Sequence, residues 1–180
     1  FVVWRADHCI KLPASVSDEE APLVEPATVA VHAARRSGAG LGDRVAVIGC
    51  GTVGLLTLQA VRAAGATAFA VDVRQQSLDL ATSFGADAVI DASEADAGQA
   101  LLKLTDGIGP DVVIETAGAA RTPIDAIQWV RRRGTVVLVG IYAARPEFNF
   151  LDIVDGEKHR FNVELDVDET ELATIADRVQ

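Results

Sequence analysis

The ten residues VIGCGTVGLL, from Val47 to Leu56, carry an apolar run into three glycines at G-x-G-x-x-G spacing and return at once to apolar residues. Glycine destabilises the interior of a helix or strand, so Gly49, Gly51 and Gly54 mark a place where main chain must turn sharply or lie close to something. The context makes the spacing informative. The preceding residues, RVAVIG (44–49), form a β-branched run too apolar to alternate, as expected of a strand covered on both faces. The following residues, 52–64, have helix length and stop at Gly65. A strand, a glycine turn and a helix in direct succession restrict the chain to a few architectures, nearly all built from βαβ units.

The rest of the chain repeats that rhythm. TAFAVDV (67–73), DAVID (87–91), DVVIETAG (111–118) and TVVLVGI (135–141) read as further strands. Helices are expected over 77–84, 95–104 and 122–133. The alternation predicts an α/β fold, a Rossmann-type doubly wound parallel sheet with helices on both faces and the ligand at the carboxyl ends of the strands where their order reverses. Upstream, 1–12 begins with a strand-like run. Residues 13–26 read as a proline-bearing connector with one helical turn capped by Ser17 and Glu20, and 27–36 as a helix closed by Gly38 and Gly40. Downstream, 159–165 is a candidate sixth strand and 168–179 a candidate final helix. The division is therefore 1–38, connector and linking helix; 39–150, dinucleotide-binding domain; and 151–180, a terminal strand and helix of uncertain affiliation.

Composition narrows the partners. A net charge of −10 repels phosphate backbones and anionic surfaces, which argues against nucleic acid and membrane. No apolar run approaches the about 20 residues of a membrane span, and the amino terminus lacks the order of a signal peptide. Cys9 and Cys50 have no metal-type partner at short spacing and read as reduced thiols of a cytoplasmic protein. A mean hydropathy of +0.25 fits either apolar surface covered by another domain or subunit, or alanine-rich helices. With no methionine and Phe1 in first place, the sequence reads as a piece of a longer protein.

The loop residues have distinct physical tasks. Gly49 permits the tight turn, Gly51 lets main chain approach a pyrophosphate, and Gly54 lets helix and strand pack closely. The phosphates would rest on the helix amino terminus at Thr52 and Val53. Asp72 ends the second strand 18 residues after Gly54, at the offset expected of a carboxylate that binds the adenosine ribose. That acid favours NAD over NADP, since it would repel a 2′-phosphate. Arg74, two residues on, could stack on adenine or pair with a phosphate and pulls the other way.

With these residues placed, the chain resembles the medium-chain dehydrogenase/reductase family, and most of all its zinc-dependent polyol, butanediol and threonine dehydrogenase branch. The resemblance is carried by IKLP (10–13), LVEPATVAVHA (23–33), GDRVAVIGCGTVGLL (42–56), FGADAVID (84–91), DGIGPDVVIETAG (106–118) and RRGTVVLVGI (132–141). It covers about residues 1–150 and implies hydride transfer between a nicotinamide cofactor and a secondary alcohol or polyol, with zinc polarising the oxygen. It implies nicotinamide-side contacts at Val139, Gly140 and Ile141, and at Thr116, Ala117 and Gly118. It also implies a catalytic, metal-site role for Glu25, which binds the zinc or holds its water. Without the resemblance, Glu25 reads as a solvated linker carboxylate before a proline.

Departures from the family pattern are equally definite. Its cysteine ligand, its His-Glu ligand pair and its four-cysteine lobe do not occur in this sequence, and the match fades from about residue 151. His8, His32 and His159 read as ordinary rather than as replacement ligands. Two other readings compete: a non-catalytic dinucleotide-binding module, and a zinc-free, NADPH-dependent enone or quinone reductase, which Asp72 and Glu25 argue against. A last strand at the sheet edge, together with the resemblance, points to a homo-oligomer.

Overall fold

The computed structural model describes residues 3–142, 147–148 and 160–163. Its centre is a six-stranded sheet with every neighbouring pair parallel, in the order β3-β2-β1-β4-β5-β6. The strands are β1 (Arg44–Ile48), β2 (Thr67–Asp72), β3 (Ala88–Asp91), β4 (Val112–Glu115), β5 (Thr135–Leu138) and β6 (Arg160–Val163). The helices are α1 (Val24–Ser37), α2 (Thr52–Ala63), α3 (Gln75–Ser83), α4 (Ala97–Leu104) and α5 (Thr122–Trp129). From β1 the chain winds outward to β3, then returns to β4 on the other side of β1. The crevice between the ends of β1 and β4 is thus the switch point at which open α/β sheets receive ligands.

Burial explains why the strands read as continuous apolar runs. Val45 and Val47 of β1 join a cluster with Ala33, Leu55, Leu58 and Val61 from α1 and α2. Ala46 and Ile48 join the opposite cluster, with Leu101 of α4 and Ala126 of α5. Successive side chains point to opposite faces, so both parities must be apolar when helices cover both sides. The two clusters confirm the expected doubly wound fold with helices on both faces.

Besides shifts of a few residues at the ends of other elements, three local expectations differ from the structure. Helix α1 begins at Val24 rather than at 27, continuing a 3₁₀ turn over Ala21–Leu23. Pro26 does not break it, because the first turn has no use for the missing N–H. Ser17 and Glu20 do form the predicted reciprocal cap ahead of this turn: Ser17 N–H donates to Glu20 Oε2 (2.9 Å) and Glu20 N–H to Ser17 Oγ (3.2 Å). Helix α5 stops at Trp129, short of 133, because Val130 is extended and the Arg131 N–H turns away to the Pro110 carbonyl (2.9 Å). Arg131 Nε also donates to Asp111 Oδ1 (2.6 Å). Near the start, Val3 and Trp4 are exposed and outside any strand, and a 3₁₀ turn follows over Ala6–His8. The predicted helix over 168–179 lies outside the described residues. Among the described residues, no helix is long and apolar enough to cross a membrane.

One buried polar atom lacks a hydrogen bond among the described residues: Thr57 Oγ1, on the covered face of α2. A buried hydroxyl left unpaired costs about 1–3 kcal/mol, and valine keeps its branched shape. Thr57→Val is therefore expected to raise stability by about 1 kcal/mol, read as a higher urea midpoint at unchanged slope. A lower midpoint would show that the hydroxyl is satisfied.

Candidate functional site

The turn after β1 is built around two glycines that cannot be replaced. Gly49 has φ of 89°, in the left-handed region, and a Cβ there would sit 2.8 Å from Ala117. A Cβ on Gly54 would overlap the Gly49 carbonyl and press on Thr116 Oγ1. Thr116 Oγ1 fills that space by donating to the Gly49 carbonyl (2.7 Å), which ties the turn after β1 to the end of β4 across the crevice. Gly51 differs: it is exposed, and a Cβ on it would meet nothing within 4 Å. The backbone there borders open space at the head of α2.

Helix α2 starts at Thr52, with Gly51 as its cap. The first helical hydrogen bond is Leu55 N–H to the Gly51 carbonyl (2.9 Å). Among the described residues, the N–H groups of Thr52, Val53 and Gly54 accordingly have no acceptor. Three donors and the positive end of the helix dipole face the open side of the turn, an arrangement suited to an anion.

Asp72, at the end of β2, is buried and braces this loop. Its Oδ2 accepts the Cys50 N–H (2.6 Å), while Oδ1 accepts the Arg74 N–H (2.8 Å) and Arg74 Nε (3.3 Å). Burial works to raise its pKa, but these donors and the guanidinium outweigh it and hold the carboxyl below its ordinary value. The Arg74 side chain remains 64% exposed beyond the pair, within reach of a ligand lying past Asp72. Burial, and then the Asp72 charge, push the Cys50 thiol up to about 12, so it is a packed and unreactive group.

Across the crevice, residues 116–118 and 139–141, the two segments that the family resemblance assigns to nicotinamide contacts, lie against each other. A Cβ on Gly140 would collide with Gly118 N and with Glu115 Oε2, so these segments touch main chain to main chain. What organises them is a residue the sequence reading did not single out. Glu115, the last residue of β4, is fully buried. Its Oε1 accepts the N–H groups of Ala117 (2.8 Å) and Gly118 (2.9 Å) and the Thr122 hydroxyl (2.7 Å). Its Oε2 accepts the Tyr142 hydroxyl, and its main-chain carbonyl takes the N–H groups of Val139 (2.8 Å) and Gly140 (3.2 Å). Burial and the adjoining Glu115 raise the pKa of the Tyr142 phenol. The available signal was an acid closing the apolar run VVI of a doubly covered strand.

Glu25 stands apart from this assembly. It is exposed in the first turn of α1, and among the described residues no group of three or more His, Cys, Asp and Glu could hold a metal ion. The described part of the chain does not form a zinc site by itself.

Comparison with known proteins agrees with this geometry. The model of the zinc-binding dehydrogenase family matches residues 52–164. Sorbitol dehydrogenase of Halalkalibacterium halodurans is 35% identical over 161 residues, covering 87% of this chain and 47% of that protein. Among solved structures, 2R,3R-butanediol dehydrogenase of Bacillus subtilis superposes with a TM-score of 0.77 at 34% identity, over 93% of this chain and 49% of that one. A zinc-binding dehydrogenase of Sinorhizobium meliloti, described as putative and solved with NADP, gives 0.75 at 32% identity, over 82% and 45% of the two chains. The chain spans less than half the length of the curated relatives it matches.

Because the Asp72 carboxyl titrates lower in the folded chain than its unfolded value of about 3.9, its contribution is complete above that value and fades as pH falls through the folded one. Asp72→Asn should cost stability at pH 7, and the gap from the unsubstituted chain in urea midpoint should hold down to about pH 5 and close below about pH 4. A gap that persists undiminished at pH 3 would show that the charge does not brace the loop.

Proposed function

The chain belongs to the zinc-binding dehydrogenase family, and from that premise we propose that it is the cofactor-binding part of an NAD-linked oxidoreductase acting on a secondary alcohol or polyol. The observation that carries this reading is the turn at the switch point. It combines a left-handed Gly49, an open Gly51 and three unspent N–H donors at the head of α2. A pyrophosphate fits that cradle in shape, charge and hydrogen-bonding capacity.

In this proposal Gly49, Gly51, Thr52, Val53 and Gly54 hold the pyrophosphate, and Asp72 accepts the hydroxyls of the adenosine ribose. Arg74, whose side chain extends past Asp72, lies along the adenine. Residues Thr116, Ala117, Gly118, Val139, Gly140 and Ile141 line the nicotinamide end. When bound, the nicotinamide ring supplies the hydride acceptor or donor. Residues 1–38 connect to a catalytic domain, 39–150 form the cofactor domain, and 151–180 stay unassigned between the two. The alcohol and most of the metal site belong to that other domain, where zinc would be held by ligands outside this sequence. Glu25, on the linking helix, is the one residue here proposed to reach the metal or its water.

NAD is favoured over NADP because a 2′-phosphate would meet the buried, ionised Asp72. NADP remains the competing cofactor, since a relative was solved with it. The edge position of β6 supports self-association of the complete enzyme, and two free thiols support a cytoplasmic setting.

Titration followed by nicotinamide fluorescence is expected to give saturable NADH binding between about 1 μM and 1 mM, with NADPH weaker by about tenfold or more. No saturation below about 1 mM would sink the cofactor reading. Equal affinity for the two would remove the role given to Asp72.

A further inference from the structure

The buried carboxylate of Glu115 has no place in the reading above, yet the whole nicotinamide end converges on it. We propose that Glu115 is a positioning residue that sets the nicotinamide-facing rim, with Tyr142 as its partner; this rests on the assignment of residues 116–118 and 139–141 to that end.

Three observations support it. First, Glu115 is fully buried and no described cation pairs with it, although its two oxygens receive four donors from three segments: the 116–118 loop, the start of α5, and Tyr142 beyond β5. A carboxylate costs more to bury than a neutral side chain, and only an acceptor with two open oxygens can gather that many donors at one point. Second, the residue takes up main-chain donors of both segments. The N–H groups of Ala117 and Gly118 go to its side chain, and those of Val139 and Gly140 to its carbonyl. Among the described residues, the carbonyls of Ala117, Gly118, Gly140 and Ile141 accept no hydrogen bond, whereas of the main-chain N–H groups at 116–118 and 139–141 only that of Ile141 lacks an acceptor, so the rim offers more acceptors than donors. A carboxamide carries two N–H donors and suits such a rim, whereas an anion does not. Third, the contact of Gly118 with Gly140 leaves no slack, so a shift of one segment must displace the other. Through its side chain on the 116–118 segment and Tyr142, and its main-chain carbonyl on the 139–140 segment, Glu115 fixes both the spacing of the rim and its polarity.

Substituting Glu115→Gln preserves shape but replaces one acceptor oxygen with a donor, which cannot serve all four partners. ADP-ribose carries the adenosine and pyrophosphate of NADH without the nicotinamide, and so separates the two ends of the site. The unsubstituted 180-residue chain should bind NADH more tightly than ADP-ribose. Glu115→Gln should weaken NADH by about tenfold and lower the emission of bound nicotinamide, while ADP-ribose stays within about twofold. Equal weakening of both ligands would reduce Glu115 to a fold-stabilising residue and overturn the proposal, as would unchanged binding of both, or equal affinity of the unsubstituted chain for the two ligands. Should Glu115→Gln fail to fold, Tyr142→Phe removes a single donor and should show the same selective loss at about threefold; unchanged NADH binding in that variant would also overturn it. If the unsubstituted chain binds ADP-ribose but shows no such selectivity on substitution, the dinucleotide reading survives and only this inference falls. Binding of neither ligand would remove both.

Discussion

Among the described glycines, the tightest approach is the one between Gly54 and the carbonyl of Gly49, where no side-chain atom can be inserted. It fixes how near α2 comes to the end of β1, and through Thr116 it fixes the end of β4 as well. Since β1 and β4 are the two strands flanking the reversal of strand order, this contact lies at the crevice itself. Everything that faces the crevice is placed relative to it: the donors at the head of α2 on one side, and the 116–118 loop on the other.

Two buried carboxylates hold the opposite ends of the site in different ways. Asp72 is paired with a guanidinium and braces the turn after β1, while part of its surroundings stays open toward Arg74. Glu115 has no described ionic partner and is closed in by hydroxyls and main-chain amides. In the proposed function, the first arrangement leaves a negative charge for a ligand's hydroxyls to meet. The second absorbs donors and leaves neighbouring carbonyls without them. The carboxyl end of the sheet thereby combines two polarities, donors at the head of α2 and spare acceptors beyond β4 and β5.

The sheet was legible because each of its central strands is apolar at both parities and each crossover ends in glycine or a polar turn. The glycine loop and Asp72 were legible because their spacing is local. The start of α1 was obscured by Pro26, which reads as a breaker unless it falls in a first turn. The end of α5 was obscured because Val130 to Arg133 continue a helix-compatible pattern, and what ends the helix is a bond to Pro110, some twenty residues away in sequence. Glu115 was missed for the same reason. A buried acid announces that partners exist, but its partners lie up to 27 residues downstream, and only the folded chain brings them to it.

The rigidity of the turn after β1 has an energetic corollary. Its conformation is anchored by bonds within the chain itself, from Gly49 N–H to the Val71 carbonyl (2.8 Å) and from Cys50 N–H to Asp72. The entropy of ordering that segment is therefore lost largely when the chain folds, which leaves more of the contact energy of any ligand there to appear as affinity. By linkage, cofactor and fold reinforce each other: whatever binds this preorganised loop in preference to the unfolded chain raises the melting temperature as its concentration climbs.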